Sequence, residues 1–224
     1  MNLTALKSIR AGFSRKLLGR GIGGAIAALL LLPLPSLAHH PLGGRVPANF
    51  AEGFLSGLAH PIIGLDHLAF VVAVGLLAAF STWGIAIPAA FVLAAMVGTG
   101  LHLAELTLPA VEFVIAGSVL GAGVLLALRN RPQSGAIAGL AVLAGLFHGF
   151  AYGEAIFGSE PMPLVAYLAG FTAVQLGIAI AAFLIGQRLT QRSTTLFVQR
   201  SGLVICGIGA AFLATAFLNS LLPA

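Results

Sequence analysis

Six apolar stretches, at residues 53–80, 83–103, 109–128, 137–150, 164–185 and 203–222, occupy most of the sequence after its first fifty residues. About 20 apolar residues carry a helix across the hydrocarbon core of a bilayer. A chain inside lipid must satisfy its own backbone groups, which leaves helices as the form for runs of this length. Most of the six reach the required length, and the fourth reaches it by extending to residues 134–152. Only 8% of the residues are charged and 59% are hydrophobic, where soluble domains carry about 25% charge. The expected fold is an all-α integral membrane protein, a bundle of about six transmembrane helices.

The basicity of the chain has a local origin. Five of its 11 Lys and Arg residues (Lys7, Arg10, Arg15, Lys16 and Arg20) fall within the first twenty positions, leaving six basic against six acidic residues elsewhere. No basic surface remains for nucleic acid. The N-terminus has the form of a secretory signal, with a positive start, an apolar segment at 21–32 and a small-x-small site at Ser36-Leu37-Ala38. Residues 1–38 are thus expected to be a cleaved signal peptide, 39–52 an exposed His-containing leader, and 53–224 a six-span domain. The alternative is an uncleaved first span. Either way residue 39 lies outside.

Loop charges agree with that orientation. Arg129 and Arg131 follow the third stretch, and Arg188, Arg192 and Arg200 follow the fifth, whereas the opposite loops carry Glu154, Glu160 and, among basic residues, only Arg45. By the positive-inside rule the arginine-bearing loops are cytoplasmic. Both ends of the mature chain then lie outside the cytoplasmic membrane of a bacterium. Small residues such as Gly98, Gly123 and Gly202 predict close helix packing, and Gly117-x-x-x-Gly121 is a possible contact between protomers. Cys206 has no partner for an internal disulfide and is read as a packing residue.

Ionisable residues inside the apolar stretches need another reason, because each costs about 2.5 to 3.5 kcal/mol to insert. His60-Pro61-Ile62-Ile63-Gly64-Leu65-Asp66-His67 holds three of them. Pro61 disfavours helix before it, so a break is expected at the His-Pro motif. A continuous helix would instead put His60 and His67, seven residues apart, nearly on one face. Both geometries gather His60, Asp66 and His67; the alternative is a kinked structural helix with hydrogen-bonded histidines.

Two further groups lie on later stretches. His102 and Glu105 have the i, i+3 spacing of one helix face, the alternative being a solvated pair at a helix end. His148 and Tyr152 are i, i+4, with Glu154 at or beyond the helix end, the alternative being an interfacial anchor. Topology places all four histidines in the outer half of the bundle. Gln175, beside Thr172 in the middle of the fifth stretch, could add a neutral oxygen from below. Imidazoles and carboxylates without thiols suit nickel, cobalt, zinc or copper, with carboxylates as ligands or as groups that orient imidazoles. His39 and His40 are candidates for capturing a cation outside the membrane, or a solvated tail.

At these residues the chain resembles the HupE/UreJ family of hydrogenase and urease accessory membrane proteins. The resemblance lies in His60-Pro61-x-x-Gly64-x-Asp66-His67 followed by Ala73-Val74-Gly75-Leu76, and in Phe147-His148-Gly149-x-Ala151 through Gly153-Glu154. It implies a nickel or cobalt permease that carries no prosthetic group, transports Ni2+ first and Co2+ next, and serves hydrogenase or urease maturation proteins. Two positions depart from the family: Tyr152 and Gln175 stand where it often has histidine.

The implied ligands are His60, Asp66, His67, His102 and His148, with Glu105, Tyr152, Glu154 and Gln175 around the pathway. No phosphate-binding loop for an ATPase is present, so a secondary permease is expected. The competing reading is a membrane-embedded zinc hydrolase with His60, His67 and His148 on the metal and Asp66 acting on its water, although the chain has no His-Glu-x-x-His pattern. A b-type haem protein is a third. The oligomeric state is left open.

Overall fold

Asparagine 49 starts the first helix by a local mechanism. Its side chain accepts from the Glu52 amide at 2.9 Å, and the Glu52 carboxylate accepts from the Ala48 amide at 3.0 Å, so two amides at the exposed end are capped reciprocally. Helix α1 (Phe50–Ile63) therefore begins inside the segment expected to be an exposed leader. The computed structural model describes residues 45–128, 133–191 and 195–222. The expected signal peptide, its cleavage after Ala38, and the His39-His40 pair lie outside the described residues.

After α1 come α2 (Leu65–Ala78), α3 (Ala86–Leu103), α4 (Val111–Ala127), α5 (Ser134–Glu154), α6 (Pro161–Gln191) and α7 (Thr195–Leu221). There is no strand among the described residues. Four helices, α3, α5, α6 and α7, are each long and apolar enough to cross a membrane. Helices α1 and α2 meet the same test as a pair bent by 79°, and α4 is apolar but 17 residues long.

The break in the first stretch is not at Pro61. Helix α1 continues through the proline to Ile63, and the chain turns at Gly64, with φ −71° and ψ 98°. Pro61 stands in the last turn, where its missing N–H removes one intrahelical bond close to the place where the ladder ends anyway. Gly64 makes the sharper demand: a Cβ there would sit 2.6 Å from Cδ2 of His67. The backbone can turn without displacing His67 only because this residue has no side chain.

Glycines also fix how the helices pair. On α1, Gly53 lies against the backbone of Pro163 and Gly57 against Tyr167; on α2, Gly75 lies against Ala179, and Ala79 meets Gly186. Position numbers rise together in each set, so α1 and α2, despite the 79° bend between them, each pack in a parallel sense against successive parts of α6. The pairs Phe91–Gly145, Ala95–Gly149 and His102–Gly153 set α3 parallel to α5 in the same way. On α4 and α7 the order reverses, with Leu120 against Gly209 and Gly123 against Cys206. Most of these pairs approach at backbone distance, which small residues permit in membrane helices. Gly117 and Gly121 face open space and take no part in this packing.

Two apolar clusters result. The larger gathers Phe70, Leu77, Ile87, Phe91, Leu126 and Ile137 among others; the smaller is Ala95, Tyr152, Ile156, Tyr167 and Phe171. Leu55, Leu93, Val97, Val165, Val204 and Phe217 remain outward and exposed, as expected of surfaces that meet lipid.

Candidate functional site

Between the two clusters the buried polar side chains converge. His60 sits in the last turn of α1 and His67 in the first turn of α2, so the turn at Gly64 folds them toward each other. Their ring centres are 5.9 Å apart. Tyr152 of α5 stands beside both, at 4.9 Å from His60 and 4.4 Å from His67. His148, one turn earlier on α5, is 4.9 Å from His67 and packs on Phe70 at 4.7 Å. All three histidines are at most 1% exposed.

Hydrogen bonds to the surrounding helices favour one set of ring tautomers. Ser118 Oγ donates to the Ile115 carbonyl at 2.7 Å. Its remaining role toward His148 Nε2, at 3.0 Å, is therefore that of acceptor. With its proton on Nε2, neutral His148 offers Nδ1 as acceptor, and the His67 Nδ1–H donates to it at 2.8 Å. The same logic holds on α6. Tyr167 Oη donates to the Tyr152 carbonyl at 3.2 Å and so accepts from the His60 Nδ1–H at 2.9 Å. In the neutral state, His60 and His67 thus both carry their lone pair on Nε2. A partner that holds Nδ1–H and leaves Nε2 basic is the usual support of a metal-binding imidazole.

Asp66 lies beside this pair rather than between its rings. It is 5% exposed, and its Oδ1 accepts from the His67 amide at 2.9 Å, which caps the opening turn of α2. Together with His67 it lines a cavity of about 300 Å³ whose other polar walls are His102, Glu112, Glu154, Thr215 and Asn219. His67 is the histidine common to the buried cluster and this cavity.

The expected ligands are accordingly divided. His60, His67 and His148 come together with Tyr152; His102 instead lines the cavity and packs on Phe150 at 4.7 Å and Phe157 at 5.8 Å. Glu154 ends α5 and is exposed at the cavity. Glu105 does not share a helix face with His102. Helix α3 ends at Leu103, and Glu105 has φ +59° in the exposed turn that follows. Among the described residues no three His, Cys, Asp or Glu side chains stand grouped to hold a metal ion. An ion between His60 and His67 would complete its shell with water, carbonyl or phenol oxygen.

Gln175 is placed deeper, along the α6 face that carries Tyr167 and Phe171; all three are fully buried. Its amide atoms, like Tyr152 Oη and Thr172 Oγ1, have no hydrogen-bond partner among the described residues.

Sequence reading missed Tyr167, Ser118 and Glu112. Tyr167 was detectable as a polar tip two turns before Gln175 on one face, and Glu112 as the one carboxylate in the third stretch. Ser118 carries no signal, since a serine in a Gly-rich helix equally well serves packing. Removing the hydroxyl in Tyr167→Phe leaves the ring's packing intact but frees His60 to take the other tautomer. On the cation-binding reading proposed below, equilibrium Co2+ binding is expected to weaken about 10- to 100-fold with the melting temperature little changed, the loss usual for such supporting groups.

The comparisons with known proteins agree with one another. The family model described as HupE / UreJ protein matches residues 27–212. Protein HupE of Rhizobium leguminosarum bv. viciae is 34% identical over 168 residues, covering 71% of this chain and 83% of that protein. No solved structure matches the chain. A family match across most of the length, with the His-Pro and His-Gly segments folded onto one buried cluster, places this chain in the HupE/UreJ family.

Proposed function

We propose that the chain is a secondary permease that takes a divalent transition-metal cation, nickel first and cobalt next, across the bacterial cytoplasmic membrane to hydrogenase or urease maturation proteins. As a member of its family it is an accessory membrane protein and not an enzyme, which sets the zinc-hydrolase alternative aside. The observation that carries the reading is the pair of hydrogen-bond contacts that engage Nδ1 of His60 and of His67 in the buried cluster, beside a cavity lined by carboxylates.

The path begins at the cavity, where Asp66, Glu112 and Glu154 attract a hydrated cation and His102 offers a first imidazole. His39 and His40 would raise its concentration outside. The ion sheds water at His67 and His60, with His148 holding the His67 ring and Asp66 offsetting charge. Two imidazole ligands rather than a closed cage suit conduction, which requires release as well as capture. Helix directions support six crossings: counting α1 with α2 as one, the first and fifth run parallel, as do the second and fourth, and the third and sixth are opposed. Six crossings put both ends on one side, and the arginine-bearing loops make that the outer side on this reading.

Uptake of radiolabelled nickel and cobalt into proteoliposomes, under an imposed pH gradient or potential, tests this reading. Accumulation above empty vesicles is expected, reduced about tenfold in Asp66→Asn, which keeps the size of the group but removes its charge. No accumulation of either metal would overturn it.

A further inference from the structure

Helix α6 carries a buried polar group with no structural task. Tyr167, Phe171 and Gln175 are successive i, i+4 positions of one face, and all are fully buried. Tyr167 holds His60 and Phe171 packs on Tyr152 at 4.6 Å. Gln175 follows one turn beyond, about 6 Å along the axis. Ala179, the next position, is already closed against Gly75.

Among the described residues both amide atoms of Gln175 lack a hydrogen-bond partner, as does Oγ1 of Thr172 three residues before it. A buried amide left unpaired costs on the order of 1–3 kcal/mol, and native structures nearly always satisfy such groups. A residue kept solely for packing would be better replaced by leucine or methionine. The amide therefore serves something that enters the protein.

We infer that Gln175, with Thr172, is an oxygen-donating transit position for the divalent cation after it leaves the histidines. The proposal rests on the permease reading and adds the next stop to it. The position lies on the cytoplasmic side of the cluster, because α6 runs inward from Tyr167 to its arginine-bearing end. It holds no charge and no imidazole, so it binds a nickel or cobalt ion more weakly than His60 and His67 do. A weaker site beyond a stronger one, its oxygens standing in for lost hydration, lets the ion move on without re-entering the outer cavity. The amide N–H groups would meanwhile donate to water that travels with the ion.

The test compares Gln175→Met and Gln175→Glu with the unaltered protein in proteoliposome uptake of Ni2+ and in Co2+ titration of detergent-purified protein followed by its visible spectrum. In Q175M the maximal uptake rate is expected to fall at least about tenfold, while cobalt affinity at the histidines stays within about threefold and the melting temperature does not fall, since no satisfied hydrogen bond is removed. Q175E is expected to bind a second cobalt equivalent and to transport slowly, because a carboxylate holds what an amide releases. Normal uptake by Q175M, or loss of its histidine-site cobalt binding, would overturn the inference and leave the permease reading standing. If Q175M does not fold, the Q175E titration decides, and a single equivalent of cobalt overturns the inference. No uptake by the unaltered chain would remove both readings.

Discussion

On the proposed permease reading, replacing His67 by alanine is expected to reduce saturable nickel and cobalt uptake by about 100-fold or more, beyond the 10- to 100-fold range typical of supporting groups, because His67 would itself be a ligand. Among the described residues no other side chain takes part in both halves of the site. His67 contacts the rings of His60, Tyr152 and His148, and it lines the outer cavity with Asp66 and His102. Its loss also leaves His148 Nδ1 buried without the donor at 2.8 Å, so a modest fall in melting temperature should accompany the loss of transport. His102→Ala is the matching control. Its ring lines only the cavity, and removing it should cost no more than about tenfold, chiefly in the concentration giving half-maximal uptake rather than in the maximal rate. Equal losses in the two variants would mean that the ion does not pass from the cavity to the buried cluster through His67.

Gly149→Ala should have the largest effect on stability, about 3 kcal/mol of destabilisation or more, the upper range for forcing volume into a packed interior. A Cβ at Gly149 would overlap the backbone of Ala95, and a backbone cannot rotate aside as a side chain can. Helices α3 and α5 would have to separate, stretching the bond from Thr99 Oγ1 to the Gly149 carbonyl, now 2.8 Å. His148, the neighbouring residue, would shift with α5 away from Ser118 and His67. Thermal unfolding in detergent, read by the recovery of monodisperse protein, is the measurement. Gly139→Ala supplies the contrast: nothing lies within 4 Å of its would-be Cβ, and alanine favours helix over glycine by about 0.5–1 kcal/mol. That variant should be as stable as the parent or slightly more so.

The helical architecture was legible because its cause is local. Lack of charge, the length of the apolar runs and the requirement that lipid-exposed backbone pair with itself leave little freedom. Four of the runs recur as helices long enough to cross a membrane. The position of the first break was misjudged for an instructive reason. Pro61 is the stronger helix breaker by propensity, but near the end of a helix a proline gives up little. The helix ends at Gly64, where the His67 ring occupies the space that a Cβ would take, and that space is visible only in three dimensions. Glu105 shows the converse error. Its spacing from His102 assumed helix beyond Leu103, where the chain instead turns with φ +59°.

Sequence by itself determined that this is a chain of apolar helices with histidines and carboxylates clustered in a few segments, because composition and spacing act within single helices. Tertiary structure decided how those residues are divided. His60, His67 and His148 share one buried cluster with Tyr152, while His102 and Glu154 line a cavity beside it. It also decided which imidazole nitrogens are basic. Ser118 and Tyr167 fix those protons from α4 and α6, and their reach depends on backbone-distance packing at glycines such as Gly57. A tautomer is set by the partner across the interface, and no pattern within one helix encodes where the next helix will lie.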